Sequence, residues 1–557
     1  MASTVPPQAW ESGYARPSPV ASWEDKERYE GAHYTLPVHE EPPTATVHNH
    51  LGVAHLRTWP SLSPAVNPWS NRFYCLAGPF GLALGCILAR QGITFRIVDK
   101  ASSPCRSGRA DGVHPRALEI LQAWGLANEV AEECPILNST VLYRNGVKLF
   151  HDHSSTCDSR YKGIHTITQS QVGRIYIRDL LRHKVLVERE TTVRKCTVHS
   201  DSHFSHSHPI EAKLQHIHNG REEVVRAQYL IGAEGAQSMI LQQMGVPFGG
   251  INGEKARKVQ EDRKARRNAS AVAEVLEQLN KIIPPYTVEF ASPMIWFSVW
   301  RVSERVARRY STPDLRVHLG GLCIRNKAEP SVLLPTYDNE RRLFANRVIR
   351  CSGAYLRFIC NPHLPLAASR DLGDEPGPIR PCSLRNGVRA PSPRICFATG
   401  KNGYLYDELT GVSRFHILVF TSDLRGPIRN ALAAFSRQAF HDSSGFYSQF
   451  GGAGPFNIIL ITKAQPWETG VLLGPRDNND DLRGLRKNAT VLYDNRVPDE
   501  NAHYLYGINH ARGAVVVVRP DLAVGVSVFP MGVGALESYF ASFLLPVKEY
   551  LGYHGHN

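Results

Sequence analysis

The chain has 557 residues and a formal net charge of +13, with 42% hydrophobic and 21% charged residues. This length and composition exclude a single small module and a disordered chain, because there is apolar material for more than one core. No apolar run reaches the roughly 18 residues that span a bilayer, and the N-terminus lacks the residue order of a signal peptide. We therefore expect a cytoplasmic protein without a membrane partner.

The cysteines and the basic residues narrow the classes of partner. The 11 cysteines form no C-x-x-C pair and none follows Cys396, so a reduced compartment fits better than a disulfide framework. The densest basic stretch, residues 255–267, is interrupted by acidic residues and leads into a helical apolar stripe. It is predicted to be a solvated helix face. No nucleic-acid partner is expected, because the sequence has no basic motif interleaved with aromatic residues.

Order is predicted to begin after an N-terminal extension. Residues 1–70 are rich in Pro, Ser, His and Glu without periodicity, which is typical of a disordered or loosely attached segment. From Phe73 the sequence predicts a strand, a glycine-containing turn, a helix and a second strand that leads to Asp99. The other elements predicted in this half are helices at 115–133 and 172–183, a hairpin at 141–150 with Asn145-Gly146 at its turn, a polar His-rich loop at 197–220 and a strand at 224–231.

A second α/β domain is predicted after a run of helix and strand breakers near 365–395. We therefore place the first domain at 71–365, a linker at 366–386 and the second domain at 387–557. The elements predicted in the second domain are strands at 415–420, 456–462, 490–493 and 514–518 and helices near 428–440 and 536–545.

The turn after the first strand carries the residue types of a dinucleotide site. Gly78 and Gly81 let the backbone approach a pyrophosphate and present the N–H groups of a helix N-terminus to it. Leu76 stands where the first glycine of the usual fingerprint falls, so the motif is degenerate at that position. Asp99, about 20 residues further on, is placed to accept the ribose hydroxyls. The alternative is a plain strand, turn and helix without a cofactor.

Three ordered segments resemble the flavin-dependent aromatic hydroxylases, in particular the fungal phenol 2-monooxygenase-like branch. They are AGPFGLALGCILARQGITFRIVDK, GRADGVHPRALEILQAWGLANEV and YLIGAEGAQSMI. The resemblance implies a Rossmann-like FAD-binding domain, NADPH as the electron donor, O2 as a co-substrate and a small phenolic substrate. It leaves open whether the chain forms a homodimer.

The resemblance also assigns roles to particular residues. Asp111 matches the family carboxylate that deprotonates the phenol, whereas without the resemblance it is equally well a turn residue before Gly112. Gln169 matches a glutamine that contacts the flavin, although Gly173 stands where the family has an acidic residue. Glu234 and Gly235 match the motif that links the flavin and NADPH sites, with Glu234 in place of the usual Asp.

Two segments of the family pattern have no counterpart in this chain. After Gly321 the sequence lacks the motif whose Asp binds the flavin ribityl chain, and after Phe248 it skips much of the substrate-domain sheet. The C-terminal runs VSRFHILVF, ATVLYDNRV and RGAVVVVRPDLAVG resemble the thioredoxin-like appendage of this branch, but without a C-x-x-C no disulfide exchange is expected. The predicted fold is thus α/β, with an FAD-binding domain, an abbreviated substrate domain and a C-terminal thioredoxin-like domain.

Two hypotheses about function stay open at this stage. The first is an active phenol hydroxylase that uses FAD and NADPH in secondary metabolism. The second is a non-catalytic remnant, or an incomplete sequence, of the same family that binds flavin weakly. No metal site is expected, because the six histidines from His199 to His218 share no spacing with a known ligand set.

Overall fold

The computed structural model describes most of the chain between residues 73 and 547. The described residues are 73–105, 111–144, 147–155, 157–199, 208–235, 238–246, 248–252, 270–282, 284, 286–289, 303–313, 317–319, 337–349, 381–441, 444–475, 480–495 and 501–547. The predicted extension at 1–70, the predicted hairpin turn at Asn145-Gly146 and the basic stretch at 255–267 lie outside them. Among the described residues, no helix is both long and apolar enough to cross a membrane.

The described residues of the N-terminal unit, residues 73–349, form 14 strands. They are β1 (Phe73–Leu76), β2 (Phe95–Val98), β3 (Ile136–Leu137), β4 (Ser139–Arg144), β5 (Val147–His153), β6 (Ile164–His165), β7 (Val187–Glu188), β8 (Thr191–Val198), β9 (Ile210–His216), β10 (Glu222–Ala227), β11 (Tyr229–Gly232), β12 (Phe248–Asn252), β13 (Ser303–Ala307) and β14 (Val317–Leu319). Its helices are α1 (Pro79–Arg90), α2 (Pro115–Ala123), α3 (Ala127–Glu132), α4 (Gln169–Arg182), α5 (Met239–Gln243), α6 (Ser270–Ile282) and α7 (337–349).

A parallel five-stranded sheet organises this unit in the order β14-β11-β1-β2-β7. Successive strand residues face opposite sides of the sheet. Ile97 and Ile231 pack with the helices α1 and α4, whereas Val98 and Leu230 pack with the antiparallel sheet β8-β9-β10. The central sheet is therefore covered on both faces, as expected for a parallel sheet in an α/β domain.

Three predicted elements of this unit differ from the structure. The helical pattern at 115–133 forms two helices, because the chain turns after α2 through Gly125, whose φ of 78° is in the left-handed region that favours glycine. The predicted strand at 224–231 is two strands, β10 and β11, which belong to different sheets. The predicted loop at 197–220 contains β9, which forms regular antiparallel pairs with β8 and β10.

The histidine at the end of β9 shows why its polar sequence still forms a strand. His216 Nε2 lies 3.1 Å from Glu223 Oε2 on β10, and its Nδ1 lies 3.2 Å from Thr191 Oγ1 on β8. The apolar residues Ile210, Ala212 and Leu214 face the core, so alternate positions of β9 are buried. Polar residues on the other face obscured this alternation in the sequence.

In the C-terminal unit, residues 381–547, seven strands lie in the part of the chain that the structure describes. They are β15 (Arg394–Phe397), β16 (Asn402–Tyr404), β17 (Phe415–Ser422), β18 (Phe456–Thr462), β19 (Ala489–Tyr493), β20 (Ala514–Val518) and β21 (Val524–Val528). Its helices are α8 (Ile428–Ala439), α9 (Phe446–Gln449), α10 (Pro466–Leu472), α11 (Arg483–Asn488), α12 (Ala502–Leu505) and α13 (Val533–Ala541), with a 3-10 turn at Leu405–Asp407.

The topology of this unit confirms the predicted thioredoxin-like fold. Its seven strands follow the order β16-β15-β19-β18-β17-β20-β21. β17 and β18 are parallel and joined through α8, and β20 and β21 are antiparallel and followed by α13. The junction between β17 and α8 ends in Arg425-Gly426-Pro427-Ile428 and contains no cysteine, so the fold is present without the thiols that disulfide exchange requires.

A buried acid–histidine pair lies beside the end of β17. Asp494, which follows β19, accepts hydrogen bonds from the backbone N–H groups of Ala502 and His503 and from the His503 ring Nδ1. The other ring nitrogen, Nε2, accepts the backbone N–H of Ser422 at 3.0 Å, and Ser422 has a φ of 47°. Burial lowers the pKa of His503, although the Asp494 carboxylate opposes the shift. Because Nε2 accepts the Ser422 N–H, it carries no proton, and the His503 ring is neutral in this arrangement.

Replacing His503 with Phe should destabilise the protein in a pH-dependent way. At pH 8 we expect a loss of about 2–5 kcal/mol, because the Asp494 side chain and the Ser422 N–H lose a buried partner. Below about pH 6.5 the unfolded parent binds a proton at His503 that the folded parent does not, so the stability of the parent falls. The difference in unfolding free energy between the parent and His503→Phe therefore narrows. Urea unfolding at pH 8 and pH 5 measures both values, with His441→Gln on the surface as the control. A difference that widens at pH 5 would contradict the neutral ring.

Candidate active site

Parallel pairing brings the ends of three strands to one edge of the N-terminal sheet. β1 lies between β2 and β11, with Leu76 opposite Val98 and Cys75 opposite Ile231. The Ala77 N–H donates to the Val98 carbonyl at 2.9 Å, which continues the ladder one residue beyond the strand. The residues that follow β1, β2 and β11 therefore meet at this edge, where ligands bind in open α/β sheets. Four predicted residues lie there: Gly78, Asp99, Glu234 and Gly235.

Gly78 is required by a close approach between two backbone segments. It is the N-cap of α1, with φ −81° and ψ 176°, a conformation open to any residue. A Cβ atom at this position would lie only 2.1 Å from the carbonyl oxygen of Ala233, just after β11. Pro79 follows at the first helical position and no side chain caps the helix, while Gly81 is buried in the first turn. The helix thus presents backbone N–H groups and its positive dipole end to an anion.

Leu76 does not disturb this turn. It is the last residue of β1, and its backbone pairs in register with Val98. Since the chain is still extended there, an L-residue fits without strain. The tight approach that needs glycine occurs two residues later, at Gly78.

Asp99 directly follows β2, and its carboxylate accepts hydrogen bonds from a side chain and from the backbone. Its Oδ2 accepts from Arg189 Nη1 at 2.7 Å and its Oδ1 accepts from the Ala101 N–H at 3.1 Å. Burial raises the pKa of Asp99, against the lowering effects of the Ala101 N–H and of the Arg189 charge. The Lys100 N–H also bonds to this carboxylate, and the remaining acceptor capacity of its two oxygens suits a ribose hydroxyl.

Glu234 and Gly235 follow β11 on the other side of Gly78. Gly235 has a φ of 87°, so only glycine fits without strain. The Glu234 carboxylate turns toward α5 and accepts the Ile240 N–H at 3.4 Å, while Ser238 caps the same helix by accepting from the Leu241 N–H. Glu234 therefore stabilises the start of α5, a local role that the sequence did not indicate.

Asp111 and Gln169 form a second group on adjacent segments. The Asp111 carbonyl accepts the Ile167 N–H at 3.1 Å, two residues before Gln169 begins α4. Asp111 is exposed, and Thr168 and Gln171 form a capping box that fixes the start of the helix. The Thr-x-x-Gln spacing in the sequence would have located this helix start.

The packing of α4 against α1 links the two groups. A Cβ at Gly173 would lie 3.8 Å from Leu82 Cδ1, which places the first turn of α4 beside the first turn of α1. Further along, Arg90 on α1 makes a bidentate ion pair with Asp179 on α4. Gln169 is therefore held on a helix that packs directly on the helix of the glycine turn.

The donor set fits the ADP half of FAD. The uncapped N-terminus of α1, the space left by the missing Cβ of Gly78 and the carboxylate of Asp99 match a pyrophosphate and a ribose. The sequence did not indicate Arg189, whose side chain is only 2% exposed and holds Asp99 from the turn after β7. No sequence signal connects these two residues, because the contact is made across neighbouring strands. Within the described residues, no group of three or more His, Cys, Asp or Glu could hold a metal ion.

Two family models match the chain. Residues 77–260 match the model described as an FAD binding domain, and residues 383–548 match the phenol hydroxylase C-terminal dimerisation domain. An FAD-dependent monooxygenase of Aspergillus terreus is 52% identical, in an alignment that covers 99% of this chain and 98% of that protein. The chain belongs to the FAD-dependent monooxygenases. The predicted family and the predicted use of FAD are thereby confirmed.

More distant relatives and solved structures agree with this assignment. A phenol 2-monooxygenase of Aspergillus fumigatus is 24% identical over 50% of this chain and 59% of its own length. The crystal structure of aklavinone-11 hydroxylase with FAD and aklavinone has a TM-score of 0.60 at 17% identity, covering 86% of this chain and 99% of that chain. The flavin-dependent monooxygenase PieE, with FAD and substrate, has a TM-score of 0.53 at 15% identity, covering 85% of this monooxygenase and 98% of its own chain. These likenesses confirm the fold.

The close relative has internal segments that this monooxygenase lacks. Their alignment spans 701 positions, 144 more than the 557 residues of this chain. Because nearly all of both chains is aligned, the excess consists of internal gaps in this chain. The sequence likewise predicts two missing segments, after Phe248 and after Gly321, and the stretch after Gly321 lies outside the described residues.

Replacing Gly78 with Ala should weaken both FAD binding and the fold. The new methyl group must displace the Ala233 carbonyl or the start of α1, for an expected loss of about 1–3 kcal/mol in unfolding free energy. Flavin fluorescence titration and thermal unfolding measure the two effects. The matched control is Gly534→Ala in α13, where a Cβ meets no atom within 4 Å. It should be neutral or stabilising by up to about 1 kcal/mol. FAD affinity equal to the parent in Gly78→Ala would contradict the proposed position of the pyrophosphate.

Proposed function

We propose that this FAD-dependent monooxygenase hydroxylates a phenolic or polyketide-derived aromatic substrate with NADPH and O2, in secondary metabolism. The observation that carries the proposal is the placement of Asp111. This exposed carboxylate lies on a segment hydrogen-bonded to the approach to α4, and α4 packs on the helix of the candidate cofactor turn. The activities of two similar proteins, a phenol 2-monooxygenase and an aklavinone hydroxylase, support an aromatic substrate.

The roles of the site residues follow from their chemistry. FAD, when bound and reduced, supplies the activation of O2. Gly78 and Gly81 would admit its pyrophosphate to the N-terminus of α1, and Asp99, steadied by Arg189, would bind the ribose. Gln169 at the start of α4 would contact the flavin, and Glu234 and Gly235 would shape the turn shared with NADPH. The carboxylate of Asp111 would accept the proton of the phenol O–H, which makes the ring more nucleophilic.

The match of residues 383–548 to a dimerisation domain supports a homodimer as the assembly of this monooxygenase. We propose that the C-terminal unit carries the contact between the two copies. Its two cysteines, Cys382 and Cys396, form no C-x-x-C pair, so we propose that it contributes to assembly and not to electron transfer.

One specific observation favours a second candidate function, a weakly binding remnant or an incomplete sequence of this family. The close relative retains segments that fill the 144 excess alignment positions and that this chain lacks. This chain also lacks the ribityl motif, which is expected in an active enzyme of the family. Such a chain would keep the fold and the glycine turn but would bind FAD weakly.

Asp111→Asn should lower phenol hydroxylation mainly below the pKa of the phenol. Loss of a general base typically costs about 10²–10⁴-fold, and the loss should diminish as the pH approaches about 10, where a phenol ionises unaided. Phenol-stimulated NADPH oxidation and product formation between pH 6 and 10 give the profile, in the presence of excess FAD. Asp152→Asn, an exposed carboxylate on β5, serves as the control. Equal turnover of Asp111→Asn and the parent over this range would remove Asp111 from the mechanism.

The chain should bind FAD more weakly than an intact family member. In the family, the motif missing after Gly321 supplies the Asp contact to the ribityl chain and is followed by a second helix whose N-terminus faces the pyrophosphate. Together these two would contribute about 3–5 kcal/mol, which corresponds to a hundredfold or more in affinity. Titration of the apoprotein with FAD measures the dissociation constant. Reinserting a Gly-Asp segment between Gly321 and Ala328 should tighten binding if the active reading holds. Submicromolar binding by the unaltered chain would show that other residues supply these contacts.

A further inference from the structure

The helix that follows Asp111 is fixed by a buried ion pair with the C-terminal unit. Glu119 on α2 has a side chain only 1% exposed. Arg389 Nε, from the C-terminal unit, donates to its Oε2 at 2.7 Å, and Arg389 Nη2 donates to its Oε1. Arg116, one turn earlier on α2, donates through Nη2 to the Asp521 carbonyl. A buried carboxylate needs a well-oriented cation, so this pair strongly constrains where α2 can lie.

Arg389 is itself held rigidly within the C-terminal unit. Its backbone pairs with Ala523 as an antiparallel bridge, and the neighbouring Ala390 N–H donates to the Leu522 carbonyl at 3.0 Å. The guanidinium lies 5.5 Å from the ring centroid of Tyr406, a buried residue of the 3-10 turn. Glu119 is thus attached to the packed interior of the C-terminal unit.

The other end of α2 leads directly to Asp111. His114 is the N-cap of α2, and Val113 exchanges two backbone hydrogen bonds with His165, at 2.8 and 3.0 Å. The Asp111 carbonyl continues this short ladder by accepting from Ile167. A shift of α2 would therefore displace Asp111 relative to the start of α4.

The segment before β6 is also attached to the C-terminal unit. Arg160 forms an ion pair with Asp407, and its guanidinium lies 5.0 Å from the ring centroid of Tyr404. Next to it, the Tyr161 hydroxyl donates to Gln122 Oε1 on α2 at 2.6 Å. Both segments that flank Asp111, α2 and the approach to β6, are consequently fixed by the same unit.

We propose that the C-terminal unit positions the Asp111 segment through the Glu119–Arg389 ion pair, so that Glu119 and Arg389 are positioning residues for hydroxylation. This inference rests on the proposed role of Asp111 as the base. The unit described as a dimerisation domain would then have a second task within its own chain. Removal of the ion pair should impair proton removal from the phenol while FAD binding at the strand edge is retained.

A double-mutant cycle on the full chain tests this role. Arg389→Met should lower kcat at pH 7 by about tenfold to a hundredfold, with recovery toward high pH like that of Asp111→Asn. In an Asp111→Asn background the same change should cost less than about twofold, because both substitutions remove one function. Arg389→Lys keeps the charge but not the bidentate geometry, so its kcat at pH 7 should lie between those of the parent and of Arg389→Met. Fully multiplicative losses, or a pH-independent loss, would overturn the proposal.

Two further variants protect the test from a folding defect. Glu119→Leu combined with Arg389→Met removes both charges of the pair. Arg116, whose Nη1 lies 3.5 Å from Glu119 Oε2, keeps its Nη2 hydrogen bond to the Asp521 carbonyl, so the variant should fold, yet it should show the same pH-dependent loss. Arg437→Met removes an ion pair of 2.8 Å with Asp481. Both members of this pair belong to the C-terminal unit, so the variant should leave kcat unchanged. Parental activity in the Glu119→Leu/Arg389→Met variant would also overturn the proposal.

Hydrogen–deuterium exchange separates this inference from the proposed function. Exchange of the Val113, His165 and Ile167 amides should accelerate at least about tenfold in the Glu119→Leu/Arg389→Met variant, while the Leu82 amide at the glycine turn is unchanged. Unaltered exchange at Val113, His165 and Ile167 would refute the positioning role whatever the activity. If the parent shows no phenol-stimulated turnover, the proposed function fails, and the exchange result still decides whether the ion pair orders the Asp111 segment.

Discussion

The candidate site depends on the pairing of β1 with β11, two strands far apart in the sequence. This pairing places the Ala233 carbonyl against Gly78, so closely that a single methyl group would not fit. It also aligns the ends of the strands, so that the helix N-terminus, the Asp99 carboxylate and the turn at Gly235 share one edge. Each of these groups is common in proteins. Their convergence on one edge makes a dinucleotide site.

Buried or half-buried ion pairs then fix what the sheet brings together. Arg189 steadies Asp99, Arg90 joins α1 to α4 through Asp179, and Arg389 holds Glu119. In each pair a carboxylate with little exposure to water requires a cation with matching geometry, which leaves few alternative arrangements. Such pairs are weak sources of stability but strong constraints on orientation, and a monooxygenase needs its base and its cofactor at a defined separation.

The C-terminal unit has a thioredoxin-like fold without the cysteine pair on which the redox chemistry of that fold depends. The thioredoxin-like sheet is complete and buried on both faces, with β17 inaccessible along its whole length. The junction between β17 and α8 contains no cysteine, and the end of β17 instead contacts the neutral His503 through the Ser422 N–H. Its exterior meets α2 and the approach to β6, so the unit is packed against the segments that carry Asp111.

The sequence by itself determined the fold class, the family and most of the regular elements. Strong apolar runs such as β17, β18 and β20 were predictable because both of their faces are buried, and the glycine turn was predictable because close backbone approach admits no other residue. Tertiary structure alone decided that β9 is a strand, that Leu76 is accommodated without strain in the extended backbone of β1, and that Glu234 turns toward α5. It alone revealed Arg189 and the Glu119–Arg389 pair, because side chains that meet across strands or domains leave no periodicity or spacing in the sequence.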